Sequence, residues 1–151
     1  DFGLPAALSG LVYVVYLSGS WASARAGALI PRYGHGPIML AGALSMLTGA
    51  LLVAVPSLWV EVAGLLLFTG SFFAMHSTAS GWVGLTAERD RAEASSMYVF
   101  CYYMGSSILG AATGRAFEAL TWGGFIAVLV AFLAALTAVA FALWRGGKRA
   151  T

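Results

Sequence analysis

Long apolar runs, interrupted by short polar segments, dominate the pattern along this chain. Five stretches contain no Asp, Glu, Lys or Arg, at residues 2–24, 33–60, 62–87, 94–114 and 119–144. Each exceeds the roughly 18 residues that mark a membrane-spanning helix, and none shows the period-two alternation of barrel strands. The pattern predicts an all-α integral membrane protein with five transmembrane helices, at about residues 5–24, 37–55, 58–82, 94–115 and 121–144.

The tryptophans mark the ends of these predicted helices. All five lie there: Trp21, Trp59, Trp82, Trp122 and Trp144. At 1.5 Å per residue, Trp59 and Trp82 are about 34 Å apart along one helix, and Trp122 and Trp144 about 33 Å. Because the hydrocarbon core is about 30 Å thick, each pair fits an aromatic anchor at both membrane interfaces.

The basic residues predict the orientation. Seven of the eight fall on one side of the predicted membrane: Arg25, Arg32, Arg89, Arg91, Arg145, Lys148 and Arg149, whereas Arg115 falls on the other. Loops rich in Lys and Arg stay in the cytoplasm. We therefore expect a multi-pass protein with its N-terminus outside and its C-terminus in the cytoplasm.

Composition excludes several classes of protein. The 151 residues are 60% hydrophobic and 9% charged, whereas soluble domains carry about 25% charged residues. Soluble, disordered and nucleic-acid-binding proteins are therefore excluded, and the lipid bilayer is the expected partner. Because the first residue is Asp1 rather than Met, we expect the chain to be a fragment or a processed product.

Polar residues distinguish the helices from one another. Stripes of polar side chains run along helix one (Ser9, Tyr13, Tyr16, Ser20), helix three (Thr69, His76, Ser80) and helix four (Ser95, Tyr98, Tyr102, Ser106). Helices two and five have few polar residues at mid-span. Since a helix that is apolar all round can face lipid, we expect helices one, three and four to be internal and two and five peripheral.

Small residues repeat every fourth position on three helices. The sets are Gly19, Ser23 and Gly27 on helix one, Ala41, Ser45 and Gly49 on helix two, and Ser106, Gly110 and Gly114 on helix four. Such faces let helix backbones approach closely in a membrane. They serve either static packing or helices that slide during a conformational cycle.

The loop between helices one and two resembles the signature loop of the major facilitator superfamily, G-x-L-x-D-R-x-G-R-[RK]. Its matching residues are Gly27, Leu29, Arg32 and Gly34. It departs at Pro31, which replaces the Asp, and at His35 and Gly36, which replace basic residues. The segment that begins at Arg91 is similar to the entry into the family's eleventh helix. The resemblance extends over about residues 10–149 and is strongest to bacterial inner-membrane permeases described as arabinose-efflux-like.

This resemblance implies the fold and a function. The five helices would be helices eight to twelve, part of the six-helix C-terminal half, with the N-terminal half and one helix missing. The implied activity is secondary active transport of a small-molecule substrate by alternating access about a central site, as proton-coupled efflux or antiport in the inner membrane. Arg32 and Arg91 would then form contacts of a cytoplasmic gate, besides setting the topology.

His76 is the one ionisable side chain, tyrosines apart, well inside a predicted span. An intramembrane ionisable residue is a functional-site hypothesis by default, and histidine titrates closest to neutral pH, which suits proton coupling. The alternative is a neutral histidine that is hydrogen-bonded between helices. Further candidates for lining a substrate cleft are Thr69, Ser80, Tyr13, Tyr16, Tyr98 and Tyr102, and packing between helices is the alternative role of the tyrosines.

The residues argue against an enzyme. Paired intramembrane carboxylates for acid–base catalysis and a His/Cys/Asp cluster for a metal are both missing from the sequence pattern. We therefore expect no catalytic residue, metal or cofactor. Besides a transporter, a non-transporting membrane subunit or a homo-oligomeric helical assembly stays open.

Overall fold

A computed structural model describes residues 6–147 and the side chains of residues 13–146. Five helices follow one another: α1 (Ala6–Tyr33), α2 (His35–Val53), α3 (Leu58–Thr86), α4 (Arg91–Ala119) and α5 (Trp122–Gly147). Each of the five uncharged stretches lies mainly on one helix, and the all-α fold class is confirmed. Asp1 and the tail beyond Gly147, on which expectations about the ends of the chain rest, lie outside the described residues.

The connections between helices are short. A single residue, Gly34, separates α1 from α2, and its φ of 81° is a backbone conformation that glycine adopts without strain. Between α3 and α4, Asp90 has a φ of 53°, in the left-handed region that Asp tolerates better than most residues. Before α5, the hydroxyl of Thr121 accepts a hydrogen bond from the backbone N–H of Gly124 at 3.3 Å, as N-cap residues do.

The helices extend beyond the predicted spans at several ends. Helix α1 continues to Tyr33, nine residues past the predicted end at residue 24, and α4 begins at Arg91 rather than residue 94. The reason is that missing charge marks the part of a helix in hydrocarbon, whereas the backbone can stay helical through a charged interface. By length and composition α2, α3 and α5 can each cross a membrane.

Helix α3 is at the centre of the packing. It packs extensively against α1 and α2, and α2 also packs against α5, whereas α4 makes few contacts with α3 and α5. The main hydrophobic cluster draws on α2, α3 and α5 and contains Met39, Ala43, Met46, Ala50, Met75, Leu133 and Ala140. Within this chain α2 is thus well buried and α4 has no buried residue.

The expected ranking of internal and peripheral helices is therefore wrong for α2 and α4 in the described chain, whereas α3 lies at the centre as expected. Helix α2, expected at the periphery, lies between α3 and α5, and α4, expected inside, is largely exposed. The polar stripe on α4 predicts a face that is turned away from lipid. It does not indicate whether the helices that cover this face belong to the described part of the chain.

Helices α2 and α3 cross with their backbones in contact. A Cβ atom added to Gly49 would come within 2.8 Å of the carbonyl oxygen of Gly64, and one added to Gly64 within 2.8 Å of that of Gly49. Backbone contact of this kind requires small residues on both helices. Elsewhere, a Cβ on Gly19 would lie 2.7 Å from the ring of Phe73, where α1 crosses α3.

The other small residues of the three sets have fewer neighbours. Gly27, Gly110 and Gly114 have nothing within 4 Å of an added Cβ among the described residues. Ser106 is exposed, whereas Ser23 and Ser45 are half-buried. Close packing through the Ser106, Gly110 and Gly114 face of α4 therefore stays a prediction.

We expect Gly49→Ala to destabilise the protein, because the new methyl group meets the backbone of α3 and α2 must move away. Overpacking costs about 1–3 kcal/mol. The matched control is Gly81→Ala, where an added Cβ meets nothing within 4 Å; there the better helix propensity of Ala should leave stability unchanged or raise it by up to about 1 kcal/mol. Thermal unfolding of both detergent-solubilised variants measures the difference, and equal melting temperatures would contradict the backbone contact.

Candidate functional site

His76 connects α3 to α4. Its Nδ1 atom lies 3.0 Å from the hydroxyl oxygen of Tyr98, and the same hydroxyl donates a hydrogen bond to the backbone carbonyl of His76 at 3.2 Å. Both side chains are half-buried. Trp82 follows His76 by six positions on α3, so the two residues lie about 9 Å apart along the helix axis. Because α4 makes few other contacts with α3, this pair is a principal polar link between the two helices.

The geometry favours one arrangement of protons. If the Tyr98 hydroxyl donates to the carbonyl of His76, its oxygen is free to accept a hydrogen bond from Nδ1–H, and both contacts are satisfied at once. If Nδ1 is unprotonated, the single hydroxyl proton of Tyr98 can be donated to only one of two acceptors, Nδ1 or the backbone carbonyl of His76. Among the described residues nothing bonds to Nε2 of His76, so this nitrogen is available to a proton or to a ligand.

Aromatic rings surround the imidazole of His76. The ring of Phe72 stacks on it at 5.9 Å between centroids with an interplanar angle of 15°, and Tyr102 lies at 4.5 Å. Tyr98 contacts it at 5.6 Å. We call the set Phe72, His76, Tyr98 and Tyr102 the aromatic cluster. Aromatic faces attract cations, and the cluster offers such faces without a carboxylate among its four residues.

A cavity of about 250 Å³ lies beside the aromatic cluster. Its other walls are mostly apolar and come from α2, α3 and α5, at Met39, Met46, Met75, Ala79 and Leu136. Methionine side chains are flexible and polarizable, so a wall built from them adapts to differently shaped molecules. Tyr98, Met39 and Ala79 also line a neighbouring cavity of about 370 Å³ that reaches Thr86, the last residue of α3.

The structure brings together three of the predicted cleft residues, His76, Tyr98 and Tyr102. Tyr16 lies apart from them and packs edge-on against Phe73 at 5.8 Å, and Tyr13 is 74% exposed. Thr69 and Ser80 are half-buried on α3 but are not among the residues that line the cavity. A role for these four residues in a cleft stays a prediction.

The loop motif lies at the opposite end of α2 from the Gly49 crossing. His35 stacks on Trp82 of α3 at 5.5 Å, and a Cβ on Gly36 would lie 2.8 Å from the Trp144 side chain of α5. The loop is thus packed against two other helices. Its matching residues are mainly on the surface: Gly27 and Leu29 are exposed, Gly34 forms the connection, and the guanidinium of Arg32 lies over Tyr33 at 5.3 Å.

Arg91 caps the connection between α3 and α4. Its Nε atom donates a hydrogen bond to the backbone carbonyl of Ala87 at 3.2 Å. The side chain thereby holds the first turn of α4 to the residue that follows α3. A role of Arg91 and Arg32 in contacts of a cytoplasmic gate is not tested by this geometry and stays a prediction.

Sequence reasoning missed several residues of the site. Phe72 lies one helical turn before His76, a spacing that places it beside the polar stripe of this helix, but it is not among the predicted cleft residues. Met39 and Met46 are seven residues apart and therefore also share a face. No sequence signal separates these methionines from the other apolar residues of α2, because the rotation of α2 decides which of them reach the cavity.

The helices and the cavities between them define the class of protein as a multi-pass membrane protein, and the relatives that it matches in sequence are named transporters. YybF of Bacillus subtilis, an uncharacterized MFS-type transporter, is 34% identical over 146 residues, or 97% of this chain and 35% of that protein. YnfM of Escherichia coli, an inner membrane transport protein, is 43% identical over 127 residues, or 82% of this chain and 30% of that protein. An uncharacterized transporter of Buchnera aphidicola is 35% identical over 132 residues.

The chain belongs to the major facilitator superfamily, as the loop motif predicts. It spans about a third of the length of the curated relatives that it matches, between 30% and 35%. No family model and no solved structure matches it.

We expect Tyr98→Phe to change the hydrogen bonding of His76, because the variant keeps the ring and removes the hydroxyl. The ¹⁵N resonance of His76 Nδ1 should shift in the labelled protein, and stability should fall by about 1 kcal/mol, the net value of one hydrogen bond. Tyr102→Phe is the matched control, since Tyr102 contacts His76 through its ring. If both variants shift the Nδ1 resonance equally, the assigned hydrogen bond is wrong.

Proposed function

We propose that the chain supplies helices eight to twelve of a secondary transporter that exports a small molecule by alternating access, driven by the proton gradient. The N-terminal half and a further helix of the C-terminal half would complete the transporter. The protein would lie in the inner membrane with the C-terminus of this chain in the cytoplasm. The observation that carries the proposal is the His76–Tyr98 pair, a titratable link between two helices at the edge of a cavity.

The link is suited to coupling because α4 has little else to hold it to α3. Helix α4 has no buried residue, and its contacts with α3 and α5 are few. Protonation at Nε2 leaves the Nδ1–H bond to Tyr98 in place and gives the imidazole a positive charge, which strengthens that bond. A change in this one bond therefore alters a large part of the interaction between α3 and α4, and two arrangements of α4 become linked to two protonation states.

The exposed face of α4 supports the proposal that further helices complete the transporter. It includes large hydrophobic residues at Met97, Phe100, Tyr103 and Ile108, each more than 60% exposed. Polar residues share the helix, which distinguishes α4 from a surface that faces only lipid. A further helix and the N-terminal half would cover this face, with the substrate bound between the halves near the middle of the membrane.

Access to the cavity tests the proposal without a known substrate. In the full-length protein, with exposed Cys101 replaced by Ser, Ala79→Cys places a thiol in both cavities. A membrane-impermeant maleimide should label it from either side of the membrane, in right-side-out and inside-out vesicles. The ratio of the two labelling rates should change severalfold when the pH is lowered through the range in which histidine titrates.

Two histidine variants make this experiment specific. His76→Gln should abolish the effect of pH on the labelling ratio, whereas His35→Gln, which removes the other histidine of the chain, should keep it. Labelling from one side only at every pH would contradict alternating access. A pH effect that persists in His76→Gln would contradict the role of His76 and leave alternating access intact.

A second candidate is a non-transporting, homo-oligomeric assembly, which the exposed Ser106, Gly110 and Gly114 face of α4 favours. Copies of the protein would then associate through this face, as small-residue faces do in membranes. In the full-length protein without Cys101, Gly110→Cys should form a disulfide between two copies if this candidate is correct. If the face is covered within one transporter, oxidation should leave the protein monomeric.

A further inference from the structure

A groove of about 430 Å³ lies between α1 and α2, and α3 forms its floor. The floor includes Gly70, Ser71 and Ala74. At 100° per residue these lie on the face of α3 opposite to Phe72 and His76. The groove is therefore separate from the cavity beside the aromatic cluster, and an occupant of one need not touch the other.

The groove is mostly apolar: small residues share its two walls with Trp21, Leu29 and Ile38, and Ser18, Ser45 and Ser71 are its uncharged polar residues. Ala22 and Ala26 line it on α1, and Ala41 and Gly42 line it on α2. The hydroxyl of Ser18 at its inner end donates a hydrogen bond to the backbone carbonyl of Val15 at 2.6 Å, so this polar group is already satisfied. The groove therefore suits a flexible hydrocarbon chain better than a polar ligand.

The length of the groove matches one leaflet of a bilayer. Along α1 it extends from Ser18 to Leu29, which is about 16 Å at 1.5 Å per residue. Half of the hydrocarbon core is about 15 Å thick. Its floor extends from Leu66 to Ala74, on both sides of the midpoint between Trp59 and Trp82 in the sequence, so the groove crosses the centre of the membrane and runs along α1 toward Leu29.

A cation, the guanidinium of Arg25, lies beside the part of the groove that is far from the centre of the membrane. Arg25 lines it, and its guanidinium lies over the ring of Trp21, 5.1 Å from the centroid. Among the described residues no carboxylate pairs with Arg25, and no acidic residue lines the groove. Tryptophan and arginine together are typical of the lipid headgroup level. The charge here complements the phosphate of a lipid.

We propose that this groove binds one anionic phospholipid, with an acyl chain between α1 and α2 and its phosphate on Arg25. The chain would fill the space that α1 and α2 leave where they diverge above α3 and would thereby hold the two helices in place. This site is independent of the transport activity proposed above. It is a lipid site on the outer face of the helices.

Native mass spectrometry of the delipidated full-length protein tests the site. The protein is titrated with phosphatidylglycerol or with phosphatidylcholine of identical acyl chains. The first phosphatidylglycerol should bind about fivefold more tightly, since one surface cation contributes about that factor toward an anionic lipid. In Arg25→Gln the two lipids should bind equally. Arg32→Gln is the matched control: it removes the same charge from the same helix outside the groove and should keep the preference.

A second variant separates the acyl chain from the headgroup. Ala41 is exposed on the groove wall, so Ala41→Phe should fill the groove and reduce tight binding of both lipids. An unchanged melting temperature of this variant in lipid-free detergent checks that it folds. Equal binding of the two lipids by the unmodified protein would overturn the proposal. So would an Arg32→Gln effect as large as that of Arg25→Gln, or competition by soluble glycerol phosphate at the concentration at which the lipid competes.

Discussion

The contact between the backbones of α2 and α3 at Gly49 and Gly64 determines the rest of the arrangement. In a membrane, helices gain little from hiding apolar side chains, so close van der Waals contact must hold them together. This crossing fixes the rotation of α2, and with it the methionines that reach α5 and the cavity. It also fixes the two remaining faces of α3, one toward α1 and the other toward α4.

The loop motif shows how a charged signature can be replaced by packing. Where the superfamily pattern has basic residues, this chain has His35 and Gly36. The imidazole of His35 stacks on Trp82, and the missing side chain of Gly36 makes room for Trp144. These contacts join the beginning of α2 to the ends of α3 and α5. The loop thus keeps a fixed position through aromatic contacts, which do not weaken with salt as exposed ion pairs do.

The sequence predicts the helices well and their neighbours poorly. Five uncharged stretches identify five helices, because a charge within hydrocarbon is costly in any arrangement. The burial of α2 could not be predicted, since every side of an apolar membrane helix looks alike in sequence. Within the site, the shared face of Tyr98 and Tyr102 follows from helical spacing. Their contact with His76 depends on how α4 is rotated against α3, which no local pattern encodes.

The surroundings of His76 are aromatic rather than charged. The cavity walls contain no carboxylate, so the neighbours of the imidazole are aromatic faces and the Tyr98 hydroxyl rather than a fixed negative charge. The link from His76 reaches α4, the helix with the fewest contacts among the described residues. Under the proposed mechanism, a proton gained or lost at His76 would therefore act on the helix that is least held by its neighbours, whereas a helix packed along its whole length would stay in place.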